Sequence, residues 1–375
     1  MFNKNLAICL GAALFLRLAF IFLGFPFLQE RWQLREDGDG YRPIAETILT
    51  SRYSDVTRGP VYPFIVAACP GVSLKVVQAV LDTAVCALVF WLSGRRVWAA
   101  WLWAVYPFAI WRVAFVNKEI VLTFLLLAYV CVQVRAWRLD CWRERLTAGV
   151  LLGLVNLCKP MFLLWPVVLL VVAPRRAWLT LVAMVVVLAP WTGRNWWVTG
   201  GEFLPVATER GGVTTFIGNF QPTLGLWEGP NKPQWQAAVE EINAVNAALA
   251  PVKLDRVFYR AAFEQVLANP VKALELAVRK CWRFWFLSAK QREQALSFAI
   301  QGGYLLLLGI GLYRGRPWDG VTRLGLGVIG YVLAVHAMSY ADLRFSLIVM
   351  PVVCVLAGRK NSGAGAPATV SVAGN

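Results

Sequence analysis

The chain has 375 residues, 58% of them hydrophobic and only 15% charged, with a mean hydropathy of +0.57. A soluble domain carries about 25% charged residues, so this composition excludes an ordinary soluble fold. The formal charge of +16 does not point to nucleic acid, because no basic stripe with base-stacking aromatics accompanies it; cytoplasmic loops, anionic headgroups and a phosphate-bearing substrate suit it better.

Apolar runs near the ~20 residues that cross a bilayer recur about ten times. None alternates every second residue, which argues against a membrane barrel. The reading is an all-α polytopic membrane protein, one domain over residues 1–360. The first run, residues 6–25, has no small-residue cleavage site at the right distance and is expected as a retained helix. A polar loop over 26–60 follows. It holds Glu36, Asp37 and Asp39, a helical stretch over 41–49, and Arg58-Gly59-Pro60-Val61-Tyr62-Pro63. Further spans are predicted at 72–93, 97–111, 119–137, 146–157, 161–173 and 177–190, the fifth and sixth of the series being short and broken by Lys159-Pro160. The segment 191–293 is too polar to span. Its first part is turn-rich, and helices are predicted at 234–249, 255–267 and 270–286. The last carries Arg279, Lys280, Trp282, Arg283, Trp285 and Phe286, a composition that suits the headgroup layer. Spans at 294–313, 321–338 and 345–357 complete the bundle, and the Gly-, Ala- and Ser-rich tail 361–375 is expected to be disordered.

The positive-inside rule orients this layout. With the N-terminus inside, the cytoplasmic segments hold Lys4, Arg95, Arg96, Arg135, Arg138, Arg143, Arg145, Arg175, Arg176, Arg314, Arg316, Arg323, Arg359 and Lys360. The short turns on the other side hold Arg112, Lys118, Lys159 and Arg344, and the loop over 26–60 is the exception, its Arg31, Arg35, Arg42, Arg52 and Arg58 being offset by acids. Both termini are therefore cytoplasmic, and the two polar loops, 26–60 and 191–293, face the opposite side.

The eight cysteines form no CxxC pair, and a lone His336 makes no multi-histidine site; neither a metal nor a cofactor is indicated. Carboxylates beside a span are costly unless they face water or a polar cavity. Asp37 and Asp39 either belong to a site or cap the helix starting near Tyr41. Glu119 opens a span, where it can act on substrate or pair with Lys118 at a positive helix end. Arg58, Lys159, Arg194 and Arg344 are expected near outer span ends, placed to bind phosphate or to snorkel to headgroups. His336 either donates to phosphate or packs in the bundle. Trp191, Trp196, Trp197 and Trp227 lie in or beside the second loop, as interface anchors or stacking platforms.

Several motifs, in order, resemble one family. Asp37-Gly-Asp39-Gly-Tyr41-Arg-Pro-Ile-Ala45 is similar to its acid four residues before a Tyr, with Ala four residues after it. Arg58-Gly59-Pro60-Val61-Tyr62-Pro63 resembles its Arg/Lys-Pro-Pro-x-Tyr-Pro, with Gly59 in place of the first Pro. Tyr106-Pro107, Asn117-Lys118-Glu119 and Lys159-Pro160 follow. Pro190-Trp191-Thr192-Gly193-Arg194-Asn195 continues through Pro205, Thr208, Gly211 and Gly218-Asn219, and His336, Tyr340, Arg344-Phe345 and Pro351 close the series. The chain thus resembles the polytopic glycosyltransferases of the GT-C fold, in particular family 39-type enzymes: protein O-mannosyltransferases, the lipid A aminoarabinose transferase and the small bacterial proteins named after Rhizobium lipopolysaccharide core transferases.

The resemblance implies a GT-C-like bundle of about ten membrane helices with short amphipathic helices in its periplasmic loops. It also implies an inverting transfer of a sugar from a polyprenyl-phosphate donor to a cell-envelope glycan, lipid or protein, at the periplasmic face of a bacterial inner membrane. Asp37 is then the expected base, with Asp39 next and Glu119 orienting the acceptor or the sugar. Arg58, Lys159, Arg194, Arg344 and His336 would meet the donor phosphate, and Tyr41, Tyr62 and Asn195 the substrates. Two rival classes remain: a lipid-linked sugar flippase or transporter, and an O-antigen ligase-like enzyme with a diphosphate donor.

Overall fold

A computed structural model describes residues 3–50, 53–172, 174–223, 225–226, 232–287, 294–315 and 319–359. Arg52, Trp227, Arg316, Lys360 and the 361–375 tail lie outside the described residues. All regular structure among the described residues is helical.

Among the described residues, six helices are long and apolar enough to cross a membrane: Lys4–Trp32, Val72–Leu92, Glu119–Leu139, Ala177–Val198, Gln294–Arg314 and Gly320–Met338. The other four predicted spans are shorter or broken. Residues 97–111 divide into Val97–Ala104 and Pro107–Arg112. Trp142–Cys158 has 17 residues. The next run is a 3₁₀ turn, Pro160–Phe162, followed by Trp165–Val172. The last is a 3₁₀ segment, Leu343–Ile348, followed by Met350–Ala357. Proline sits at the start of the second piece in three of these pairs or at the break itself: Pro107, Pro160 and Pro351. Each lacks an N–H, so it begins a helix readily and weakens one that runs through it.

The first helix also differs from expectation. It runs past Pro26 to Trp32, through a π-helical turn at Phe20–Gly24 that places Pro26 in the first turn of the following α-helical piece. The first polar loop therefore starts near Gln33, whose left-handed φ of 50° ends the helix.

Glu119–Leu139 and Met350–Ala357 form the centre of the bundle. Every residue of the latter is buried, and it packs on Val72–Leu92, Val97–Ala104 and Gln294–Arg314. A short helix is tolerable there because it meets protein rather than lipid. Arg17 ties three helices together. It bonds Asp82 and donates to the carbonyls of Ala13, Trp103 and Ala104, and both charged side chains are completely buried. Trp142–Cys158 approaches Pro174–Val198 closely at Gly149 and Gly153; a Cβ on Gly149 would lie 2.4 Å from the Thr180 carbonyl. Small residues commonly allow such contact between membrane helices.

The second polar segment builds a helical cap on one end of the bundle. Gly211–Asn219, Lys232–Val245, Pro251–Ala268 and Pro270–Phe286 form it around a separate apolar cluster of Phe216, Ile217, Trp235, Phe258 and Ala262. Asp255 accepts the Gly212 N–H at 2.9 Å and so fixes the start of Gly211–Asn219. At the opposite end of the bundle, Arg138 and Arg359 meet Asp319, and Arg135 meets Glu144.

Candidate functional site

The site forms where the first polar loop meets helix ends from across the bundle. Gly40, with φ of +73°, turns the chain into helix Tyr41–Leu49. Asp37 caps that helix: its two carboxylate oxygens accept the N–H groups of Tyr41 at 2.9 Å and Arg42 at 2.7 Å. A carboxylate suits the positive end of a helix. The Asp37 carboxylate is thus engaged by backbone.

Asp39 points instead into a group of cations. Its Oδ1 lies 3.4 Å from Arg344, and its backbone carbonyl accepts Arg58 Nη2 at 3.2 Å. Burial works to raise the Asp39 pKa, but Arg344, Arg58, Lys118 and Arg112 outweigh it and hold the carboxyl below its usual value. Nearby opposite charge favours the ionised form in this way.

Phe345 organises the next layer. The Arg344 guanidinium lies 4.8 Å from its ring centroid and Lys159 Nζ lies 4.5 Å from it. The His336 ring stacks on Phe345 at 4.4 Å with an interplanar angle of 11°. His336 Nδ1 bonds the Tyr340 carbonyl oxygen at 2.8 Å, and its Nε2 is buried without a hydrogen-bond partner. Burial, with the charges of Lys118 and Arg344, pushes the Lys159 ammonium down to about 8. Cations on aromatic faces are attracted by the ring quadrupole, most strongly when desolvated. Glu119, the first residue of its helix, is 5% exposed, and its Oε2 has no hydrogen-bond partner. It acts electrostatically on both Arg344 and Lys159.

Glu209 is a member of this cluster that no motif pointed to. It accepts the Gly59 N–H at 2.9 Å, bonds Lys118 Nζ, and lies 3.8 Å from Arg58. Burial raises its pKa, yet Lys118 and Arg58 bring the net value below that of a free carboxylate. Its segment folds back onto the first loop through Thr208 N–H to the Val56 carbonyl at 3.0 Å. Glu209 stands 150 residues from Gly59 in the chain, so only the fold joins them. The one signal in the sequence was an acid in an outer loop, between Thr208 and Arg210 and just before Gly211-Gly212.

The structure therefore brings Asp39, Glu119, Arg58, Lys159, Arg344 and His336 into one region. Arg194 and Asn195 stand apart from it. Arg194 donates to the carbonyls of Tyr53 at 2.7 Å and Asp55 at 2.9 Å, beside the rings of Tyr53 and Trp191. Asn195 is completely buried and donates to the carbonyls of Leu204 and Val206. Together they pin the first loop to the second. Tyr41 and Tyr62 are also buried and meet edge to face at 4.7 Å. Tyr62 donates to Gln78 at 2.8 Å, and Gln78 in turn donates to the carbonyls of Val113 and Phe115, which fixes the floor of the site. Of the tryptophans, Trp191 donates to the Val206 carbonyl, while Trp196 and Trp197 are exposed. Among the described residues, no group of three His, Cys, Asp or Glu is arranged to hold a metal ion.

Chemically, the cluster combines Arg58, Lys118, Lys159 and Arg344 with Asp39, Glu119 and Glu209. Such a set of cations, interleaved with carboxylates at one end of an apolar helical bundle, has the chemistry to bind an anion. No protein-family model matches the chain, and no curated protein matches it.

Proposed function

We propose that the chain is a GT-C-type, membrane-embedded, inverting glycosyltransferase with a polyprenyl-phosphate sugar as donor and a cell-envelope glycan, lipid or protein as acceptor. One observation carries this reading: Arg58, Lys159 and Arg344 converge with Asp39 and Glu119 at one end of an apolar helical bundle. The positive-inside pattern supports placing that end on the non-cytoplasmic side, which for the bacterial enzymes the chain resembles is the periplasmic face of the inner membrane. The ordered motifs that resemble those of family 39-type enzymes, and the six candidate membrane helices among the described residues, support the same reading.

The chemistry needs a base for the acceptor and cations for the departing phosphate. The acceptor oxygen attacks the anomeric carbon as the bond from that carbon to the phosphate oxygen breaks. The bonding pair leaves with the phosphate, which remains on its lipid. A single displacement inverts the anomeric centre. Arg344 and Arg58 offer paired N–H donors to the phosphate, and Lys159 a point charge. Asp39 takes the acceptor proton in this arrangement, because the Asp37 oxygens are engaged by the helix they cap. A carboxyl held low is a weak base, so its contribution is mainly position next to the cations. Glu119, with an unpartnered oxygen, orients the sugar or the acceptor.

The test is donor dependence. Membranes containing the protein are offered a sugar on a polyprenyl monophosphate, on a polyprenyl diphosphate, or on a nucleotide. Transfer from the monophosphate alone supports the reading. Transfer from the diphosphate would favour a ligase of surface polysaccharide, and movement of intact donor across vesicles without bond cleavage would favour a flippase.

A further inference from the structure

We propose that the Gly59 N–H, Lys118 and Arg58 form a phosphate nest in which the Glu209 carboxylate stands in for the anion, and that the phosphate of a polyprenyl carrier displaces that carboxylate when it binds. This rests on the transferase reading and names the group that competes for its anion site.

The geometry is that of an anion site already holding an anion. One carboxylate oxygen takes a backbone N–H at 2.9 Å from Gly59, just ahead of helix Val61–Ala68. The other takes the Lys118 ammonium and faces Arg58 at 3.8 Å. Backbone N–H groups and paired cations are also the donors that a phosphate recruits. Gly59 lets this turn pack against the Leu157–Cys158 backbone: a Cβ there would lie 2.3 Å from the Leu157 carbonyl. A proline at 59 would have no N–H to give.

The segment that delivers the carboxylate is held under strain. Glu209 and Arg210 both adopt left-handed backbone, with φ of 53° and 51°. Side chains other than glycine enter that region at a cost. Two such residues in succession persist only while something over-determines them, and the bonds from Gly59 and Lys118 do so here. Burial opposes the Glu209 charge, but the two cations keep it ionised. Without Glu209, Arg58 and Lys118 would stand beside Lys159 and Arg344 with Asp39, Asp55, Glu119 and Asp342 to offset four cations. Glu209 supplies a further counter-ion, and its strained segment gives it a reason to leave once a phosphate takes over. Release would also free Arg58, whose other amino group already donates to the Asp39 carbonyl at 3.2 Å.

The experiment is binding of a polyprenyl monophosphate to the full chain in detergent, by calorimetry, with hydrogen exchange over residues 208–212 read in parallel. Glu209→Gln keeps the shape and removes the charge. It is expected to bind the monophosphate about tenfold tighter than the wild type. Addition of the lipid to the wild type is expected to speed exchange over 208–212. Equal or weaker binding by folded Glu209→Gln, or slower exchange in the wild type, overturns the proposal. If Glu209→Gln fails to fold, the wild-type exchange decides alone. Binding that is lost with Arg344→Ala and Lys159→Ala yet indifferent to Glu209 removes the nest and keeps the transferase reading; no binding by any form removes both.

Discussion

Arg17 offers a sharp test of how the bundle is held. Its Nε bonds Asp82, one amino group donates to Ala13 at 2.9 Å and to Ala104 at 3.0 Å, and the other donates to Trp103 at 3.3 Å. Asp82 is completely buried, and its Oδ1 already lacks a partner. Arg17→Met keeps much of the side-chain volume but strands the Asp82 carboxylate and frees three carbonyls. Removing one member of a buried pair costs about 3–5 kcal/mol. For a chain of 375 residues that corresponds to a fall in Tm of about 4–6 °C. The assay is thermal unfolding in detergent, followed by tryptophan fluorescence. Asp82→Asn added to Arg17→Met removes the stranded charge and is expected to recover much of the loss. If Arg17→Met alone unfolds at the wild-type temperature, the pair does not hold the bundle as described.

Other outcomes follow from the site. Asp39→Asn should lower transfer by about 10²–10⁴-fold, the range for losing a general base. Asp37→Asn retains a capping oxygen and should lower transfer far less; the opposite order in a transfer assay would return the base to Asp37. Gly59→Ala places a Cβ 2.3 Å from the Leu157 carbonyl and 2.9 Å from that of Cys158. Relief requires backbone movement, so a loss of about 1–3 kcal/mol is expected in thermal unfolding, together with weaker donor binding. Lys159 is held at about 8, below its ordinary 10.5, so its charge, and with it affinity for a polyprenyl monophosphate, should fall as pH rises through about 8 rather than near 10. Lys159→Arg keeps its charge throughout and should flatten that profile in a binding titration. Asp39 and Glu209 have folded pKa values below their free values. Their stabilisation is therefore complete above the free carboxylate range and is lost as pH falls through the folded values; acid unfolding of Glu209→Gln should show a smaller pH slope than the wild type.

Parts of this architecture are legible in the chain because their causes are local. Tyr41–Leu49 and Pro270–Phe286 match their predicted bounds. The first follows a Gly–Asp turn and the second starts at Asn269-Pro270, where the Asn269 side chain accepts the Lys272 N–H. Hydropathy marks apolar length but not whether a helix survives a proline, so the breaks at Tyr106-Pro107, Lys159-Pro160 and before Pro351 are seen only in the fold. Alternating charge placed Lys159 and Arg344 on one side with Arg58, and they do converge. The same rule could not separate Arg194, which spends its donors on the Tyr53 and Asp55 carbonyls, from its neighbours in the site. Asp37 and Asp39 are two residues apart and take different partners because Gly38 and Gly40 flank Asp39 and the chain turns there. Glu209 was illegible for a different reason: its partners Gly59 and Lys118 lie 150 and 91 residues away in the chain.

The central claim is sugar transfer at this site, and cell-envelope glycan analysis by intact mass tests it most directly. A deletion strain is compared with the same strain carrying the wild-type protein or Asp39→Asn at equal protein level. The account predicts loss of one sugar from one envelope component in the deletion, its return with the wild type, and its continued absence with Asp39→Asn. An envelope unchanged by the deletion, or full restoration by Asp39→Asn, would contradict it.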